Sequence, residues 1–479
     1  MFGFLYFLFK LMIFLVFFVS FIIIINQLIY LKLKSKKNKL FGNDLKIVSF
    51  IHPFCADCGG GEKVLWRMIT SLINFKPNLQ NNTKKIKINI ISGQKIDLNE
   101  LKQKLQERFK INFNQTHNNN NSFVNDIEII TINSGFILKP QKIATMILQI
   151  FGQILFAFYI ISTIYSDVYC DSTGLPFSYF ILKLFGHAKV TSYTHYPFIS
   201  NDMLNDIKKN VPGVHSQGIF SKMKFLNKIK ILYYKFILWF YSFMGKFVDF
   251  SFVNSTWTFN HMNEIWKNNK ILILYPPCST EIYQECFTNN NRNNLIVSFA
   301  QFRPEKNQQM QIEIFNKIKP KFNNNLELHI LGAVRNEDDQ KLFDSLQNYI
   351  NNLNLSNSVK LIKNAPTSKV QDEFKKAKIG IHTMRDEHFG ISIIEMMAAG
   401  LIVITHNSAG AKFDIIGPSK KPVGFLAENE EEFINQIIEI LNNYNSIANS
   451  IKNNALKQAN NFSDSSFAEN FLKEIDNFI

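Results

Sequence analysis

The sequence predicts an α/β protein with two Rossmann-like domains facing a cleft, set behind an N-terminal transmembrane helix. Three observations carry this expectation. A long apolar amino terminus ends in lysines, short apolar runs alternate twice with amphipathic stretches, and an Asn-rich break separates the two series. The 479 residues, 46% of them hydrophobic, suffice for two or three domain cores.

Residues from Phe2 to Leu31 carry one charge, Lys10, and Leu11–Tyr30 alone supplies the roughly 20 residues that a bilayer span needs. No small-residue cleavage site follows, so an anchor is favoured over a removable signal peptide. Lys32, Lys34, Lys36, Lys37 and Lys39 come next, and the positive-inside bias assigns everything beyond them to the cytoplasm.

Leu45–His52 reads as a buried strand, Cys55–Gly61 as a turn-rich loop, Glu62–Phe75 as a helix and Lys85–Ser92 as the next strand. That succession opens a doubly wound domain. The Asn-rich stretches Asn114–Asn121 and Asn289–Asn294 read as surface loops, the second as the interdomain linker.

The second series runs from Leu295–Ala300 (strand) through Lys306–Ile318 (helix), Leu326–Leu331 (strand), Asp338–Asn351 (helix) and Val359–Ile362 (strand). Gln371–Lys376 (helix), Ile379–His382 (strand), Gly390–Ala399 (helix) and Ile402–Thr405 (strand) continue it. Open α/β sheets bind ligands at the carboxyl ends of their strands, so two such sheets predict a cleft between the domains.

Two more apolar segments, Ile143–Tyr165 and Ile231–Val253, reach spanning length. A crossing at the first would put the glycine loop and the second domain on opposite sides. Both are therefore expected to dip into the cytoplasmic leaflet, with Lys222, Lys224, Lys228 and Lys230 meeting its headgroups; plain core helices are the alternative. The chain thus divides into an anchor (1–33), a basic linker (34–44) and a first domain (45–290) with membrane-dipping helices near 143–165 and 231–250. A second domain (291–455) and a C-terminal helix (456–479) packing back on the first complete it.

The formal charge of +15 suits an anionic partner, and with no nucleic-acid module in the sequence a membrane fits better than nucleic acid. Five unpatterned cysteines argue against a disulfide scaffold. Cys55-Ala-Asp-Cys58 lacks a second pair at zinc spacing and reads as an ordinary loop.

Three constellations carry chemistry. Gly59-Gly60-Gly61, between strand and helix, lets a diphosphate approach the backbone and the helix amino terminus, but lacks the lysine and hydroxyl of an NTPase loop. In Ser298-Phe-Ala-Gln-Phe-Arg303-Pro-Glu-Lys306-Asn307, Arg303 can fork onto phosphate oxygens while Lys306 adds a point charge, neutralising a departing nucleoside diphosphate. In Glu387-His388-Phe389-Gly390-Ile391-Ser-Ile-Ile-Glu395, one carboxylate can bind sugar hydroxyls and the other ribose, with Gly390 and Ile391 presenting N–H groups. No D-x-D occurs, so no metal or other cofactor is expected.

Two α/β halves, a glycine loop, F-R-P-E-K-N and E-x7-E together resemble the retaining family 4 glycosyltransferases of the GT-B fold. Longer stretches sharpen the resemblance: His52-Pro-Phe-Cys, Gly-Gly-Gly-Glu62-Lys-Val-Leu-Trp66, Tyr193-Thr-His195-Tyr-Pro-Phe-Ile-Ser-Asn-Asp202, Asn254-Ser-Thr-Trp257-Thr and Tyr275-Pro-Pro-Cys. His382-Thr-Met, Ala398-Ala-Gly400 and His406-Asn-Ser-Ala-Gly410-Ala-Lys412-Phe-Asp414 continue it. These are similar to the dolichol-linked-oligosaccharide α-1,2-mannosyltransferases of N-glycosylation. Cys58 stands where relatives tend to have a fourth glycine, and Ala409-Gly410-Ala411 where they have a more Gly/Pro-rich turn.

The resemblance implies mannose transfer from GDP-mannose, as the fourth and fifth mannoses, onto trimannosyl dolichyl diphosphate at the cytosolic face of the endoplasmic reticulum membrane. Other early mannosyltransferases of the pathway are implied partners, and nucleic acid is not. It makes His195 the catalytic histidine beside the donor sugar, with Arg303 and Lys306 on the diphosphate, Glu387 on mannose and Glu395 on ribose. Gly60, Gly61, His388, Phe389, Gly390 and Ile391 complete the expected donor site. No covalent nucleophile is evident in the first half, which favours same-face attack assisted by the leaving phosphate. The neighbouring readings are the α-1,3/1,6-mannosyltransferase and the phosphatidylinositol N-acetylglucosaminyltransferase; a scaffold subunit would lose the charged pocket.

Overall fold

A computed structural model describes residues 2–42, 45–57, 59–74, 86–111, 124–132, 145–200, 203–204, 224–267, 270–289, 291–323, 325–475 and 478. Cys58, the stretch 114–121, Asp202 and Lys222 lie outside the described residues. The chain forms two compact units: residues 1–253 with 260–272 and 474–479, and residues 254–259 with 273–473.

In the first unit seven short strands, β1 (Lys46–Ile51), β2 (Ile86–Ser92), β3 (Val124–Thr131), β4 (Val168–Asp171), β5 (Lys189–Thr194), β6 (Phe250–Val253) and β7 (Ile271–Ile273), form one sheet in the order β3-β2-β1-β4-β5-β6-β7. The pairings from β3 through β6 are parallel. Helices cover both faces of such a sheet, so its central strands are mostly buried; in β1 every residue after the part-buried Lys46 is, and all of these but Ser49 are apolar. The order reverses between β1 and β4, and β1 hands over to the glycine loop at this switch point.

The second unit repeats the scheme with β8 (Asn293–Phe299), β9 (Glu327–Gly332), β10 (Val359–Lys363), β11 (Ala377–His382), β12 (Ile402–His406) and β13 (Phe425–Ala427). Their order is β10-β9-β8-β11-β12-β13, all parallel, with the reversal between β8 and β11. The two loops singled out in the sequence, F-R-P-E-K-N and E-H-F-G, leave the carboxyl ends of these two strands.

Arg292, one residue before β8, knits this unit together. Its buried guanidinium donates to the carbonyls of Asn289 (3.2 Å), Phe374 (2.8 Å), Ala377 (2.7 Å), Cys286 (2.9 Å) and Ala399 (2.7 Å). Asparagine serves more than loops here. Asn336 and Asn429 cap the helices Glu337–Asn352 and Glu430–Asn442, and Asn307, Asn323, Asn354 and Asn364 take the left-handed conformation that asparagine tolerates best among non-glycine residues.

Three expectations of organisation need correction. The seam between the units falls at Ile273 and not at residue 290, and Asn293 and Asn294 open β8 and are not linker. Residues 456–473 group with the second unit, because Ala455, Ala459 and Phe462 join its core; only Glu474–Ile479 group with the first, where the Phe478 ring meets Phe250 edge-on at 4.5 Å. No basic linker begins at residue 34 either. One helix runs from Phe2 to Phe41, about 60 Å at 1.5 Å per residue.

Lysines 32–39 form the last turns of that helix, and its carboxyl half docks on the first unit. Asn26 Nδ2 donates to Phe185 O (2.9 Å), Gln27 Oε1 pairs with His187 Nε2 (2.8 Å), and Tyr30 packs on the His187 ring at 4.6 Å. Phe17, Phe21, Ile24 and Leu28 remain exposed along one stripe. Among the described residues one stretch, Met146–Thr163, is long and apolar enough to cross a bilayer. It is two-faced: Phe156, Ala157, Ile160 and Ile161 are buried, while Leu148, Phe151, Leu155 and Tyr159 are exposed at helical spacing. Lys224–Met244 follows suit, burying Tyr234, Ile237 and Tyr241 and exposing Leu232, Phe236, Trp239 and Phe243.

Candidate active site

In the first unit, β1 is followed by His52, whose Nδ1 meets Ser172 Oγ (2.8 Å) beyond the end of β4. Nε2 lies 3.3 Å from Glu62 Oε1, and the other Glu62 oxygen accepts the Gly59 N–H (2.5 Å). Glu62 is thus the third residue of the helix Gly60–Asn74 reaching back to the residue before it, one half of a capping box. Burial opposes its ionisation, but the bond and charge of His52 and the backbone N–H groups hold its carboxyl below the ordinary range. Gly60 is exposed in the first turn, and Gly61 faces His195: a Cβ on Gly61 would sit 3.4 Å from His195 Nε2 and 4.0 Å from His52 Cε1. The His195 ring, just past β5, leans on Tyr193 at 4.9 Å. Cys55 is buried behind this loop, where desolvation pushes its thiol up to about 11, as for an unreactive structural cysteine.

In the second unit, β8 runs into Arg303 and the short turn Pro304–Lys306. Arg303 is part-exposed, its Nε 4.0 Å from Asp339 Oδ1 and its Nη1 4.0 Å from Glu305. Lys306 Nζ pairs with Glu387 Oε2, and the same oxygen takes His382 Nε2 at 2.9 Å. Burial works against ionisation of Glu387, yet the His382 bond and the Lys306 charge hold its carboxyl far below the usual carboxylate range. Glu387 is therefore an anion with a fixed orientation, suited to accept hydroxyl hydrogens. Thr383 Oγ1 donates to the carbonyls of Lys306 (3.0 Å) and Asn307 (3.1 Å), locking the two loops in register.

His388 stacks on Trp257 at 5.0 Å and 12°. Trp257 is placed in turn by Asp414, which accepts from Thr256 N (3.0 Å), Thr256 Oγ1 (2.5 Å) and the Tyr275 hydroxyl (3.0 Å). Phe389 departs from expectation. Its ring is buried against Tyr275 and Phe462, so only its backbone is available to a donor. Gly390, with φ +112°, precedes the helix Ile391–Ala398, and a Cβ there would come 2.6 Å from Ile393 Cδ1. Ile391 supplies the first helical N–H, one of those without an intrahelical partner. Glu395 is part-buried a turn further on, its charge acting on Tyr283.

His382, Thr383, Trp257 and Asp414 appear in the sequence only within the stretches of resemblance, where none of them is assigned a role. A histidine closing the apolar strand Ala-Lys-Ile-Gly-Ile-His at the switch point was the available signal. Gly410 N–H donates to Glu387 O (2.9 Å), and a Cβ there would lie 2.4 Å from Phe389 O. Gly410→Ala is expected to push the Glu387 loop away, costing about 1–3 kcal/mol of stability and lowering donor affinity; thermal unfolding and donor titration read both effects.

Two parallel sheets with their loops at the switch points, and an acidic loop ahead of a helix in the second, define a glycosyltransferase of the GT-B fold. Solved structures share it at low identity. The chain aligns with HepE of Anabaena in complex with UDP and glucose at a TM-score of 0.58 (15% identity, 90% of this chain and 99% of that one). It aligns with sucrose-phosphate synthase from Thermosynechococcus elongatus at 0.62 (13% identity, 90% and 99%). Residues 45–266 match the model described as ALG11 mannosyltransferase N-terminus, and 280–458 match glycosyl transferases group 1. Curated relatives named GDP-Man:Man(3)GlcNAc(2)-PP-Dol alpha-1,2-mannosyltransferase include those of Mus musculus (32% identity, 92% of this chain and 89% of the relative) and Homo sapiens (31%, 94% and 91%). That of Dictyostelium discoideum is 31% identical over 89% of this chain and 84% of its own. The chain belongs to this family of α-1,2-mannosyltransferases.

Proposed function

We propose that the protein transfers mannose from GDP-mannose, with retention and in α-1,2 linkage, onto the dolichyl-diphosphate-linked trimannosyl precursor of N-glycans, adding the fourth and fifth mannoses. Its relatives carry the donor, acceptor and linkage in their names. The observation that supports the chemistry most is the Lys306–Glu387–His382 cluster at the carboxyl ends of β8 and β11, a cation beside an oriented anion. Lys306 and Arg303 take the diphosphate, Glu387 the mannose hydroxyls and Glu395 the ribose. Gly390 and Ile391 give backbone N–H groups, and His388 flanks the donor. Gly60 and Gly61 let the ligand approach the backbone, and His195 is the catalytic histidine beside the sugar. No metal takes part in this reading: cations of the side chains meet the charge.

The C1–phosphate bond breaks as the acceptor hydroxyl attacks on the same face, its proton passing to the departing phosphate oxygen; isolation of a mannosyl-enzyme ester would contradict this step. The N-terminal helix anchors the protein in the endoplasmic reticulum membrane with both units cytosolic. The exposed apolar stripes of Met146–Thr163 and Lys224–Met244 meet the leaflet without crossing it, and other early mannosyltransferases of the pathway work alongside.

The test is incubation with GDP-mannose and a synthetic trimannosyl lipid diphosphate, followed by α-1,2-mannosidase digestion. Two added mannoses, both released by the digest, are expected; sugar taken only from another nucleotide, or resistant to the digest, would defeat the proposal. His195→Ala should lower this transfer by about 10²–10⁴-fold with GDP binding retained, and full activity would remove its assignment.

A further inference from the structure

We propose that His382 is a positioning residue of the transfer reaction, setting Glu387 for the donor sugar. This rests on the reading of Glu387 as the carboxylate that holds mannose. His382 is buried at the end of β11, 2% exposed. Its Nε2 lies 2.9 Å from Glu387 Oε2, and because a carboxylate only accepts, Nε2 carries the proton. The other nitrogen, Nδ1, is buried with no hydrogen-bond partner among the described residues. An apolar side chain of like size would fill this site without that cost, so packing alone does not account for an imidazole here. The bond to Glu387 does.

His382 and Lys306 both engage Oε2, which leaves Oε1 to accept from an incoming hydroxyl. The next residue, Thr383, ties the Lys306 carbonyl to the same strand end. The dipeptide His382-Thr383 thus registers the sugar-side anion and the phosphate-side cation to each other, one through its side-chain bond to Glu387 and the other through the backbone of Lys306. A misplacement of about 1 Å in such a pair can cost about 10²-fold in rate.

Glutamine and asparagine at this position separate positioning from packing. The amide nitrogen of His382→Gln overlays Nε2 and still reaches Glu387; that of His382→Asn overlays Nδ1 and does not. His382→Asn is expected to lower kcat about 10- to 100-fold, with the KM for GDP-mannose, GDP binding and melting temperature little changed, and His382→Gln to recover most of the rate. His382→Leu gives the same kcat loss and serves where the asparagine variant misfolds. Equal rates for the asparagine and glutamine variants, or a loss of GDP binding matching the loss of transfer, would overturn the inference. Glu387→Gln, measured alongside, keeps the two claims apart. Full transfer there defeats the reading of Glu387 itself, whereas a crippled Glu387→Gln beside an active His382→Asn defeats only the positioning role.

Discussion

Replacing Glu387 by glutamine lowers mannose transfer by about 10²–10³-fold, the loss that follows removal of one charge-aligned partner from a developing transition state. The substitution keeps the shape and still offers a carbonyl to His382, so folding is preserved. It removes the anion that Lys306 now faces, and the freed ammonium turns wholly to the diphosphate. GDP binding therefore stays equal or tightens while transfer collapses. Isothermal titration with GDP beside a transfer assay separates the two, and parallel loss of both would contradict the assignment. The depressed carboxyl also sets a sign for pH. A carboxylate held below its unfolded value contributes stability that is complete above about pH 5 and is lost only as pH falls through the lower folded value. Mild acidification thus leaves the Lys306–Glu387 pair intact.

Arg292→Ala unfolds the second unit more readily than any other single truncation proposed here. Five carbonyls that now accept from one buried guanidinium lose their donor at once, three of them at or between secondary-structure ends: Phe374, Ala377 and Ala399. Leaving buried acceptors without this donor costs about 1–3 kcal/mol apiece, together a large part of a typical stability of about 5–15 kcal/mol. A fall in melting temperature of roughly 10 °C or more follows. Arg292→Lys, with three donors on one nitrogen in place of a planar fork, recovers only part of it. An Arg292→Ala protein melting within about 2 °C of the parent would show that water or neighbouring groups replace the guanidinium.

Strand and helix alternation was legible because its causes are local. Buried parallel strands read as apolar runs, and β1, β8, β11 and β12 lie within two residues of where those runs place them. The loops between them were legible as well, since glycine, Arg303, Lys306 and Glu387 sit where strands hand over to helices. Side-chain direction was not. Phe389 lies between two residues expected at the donor, yet its ring turns into the core because Tyr275 and Phe462, over a hundred and seventy residues apart in the chain, meet there. The seam between the units escaped for the same reason: residues 254–259 and 456–473 are assigned by contacts of high sequence separation, such as Thr256 with Asp414 and Cys278 with Phe462. The lysine-rich end of the first helix looked like a linker, since charge reads as solvent. The docking of Asn26, Gln27 and Tyr30, followed by Lys37 over the Tyr165 ring and Phe41 under Lys87, explains why the helix persists to Phe41.

Mass analysis of lipid-linked oligosaccharides in cells deprived of this protein tests the central claim most directly. The trimannosyl dolichyl diphosphate should accumulate, and the wild-type chain, but not one carrying Glu387→Gln, should restore its extension. A normal profile in the deprived cells, or a block at a shorter intermediate, would contradict it.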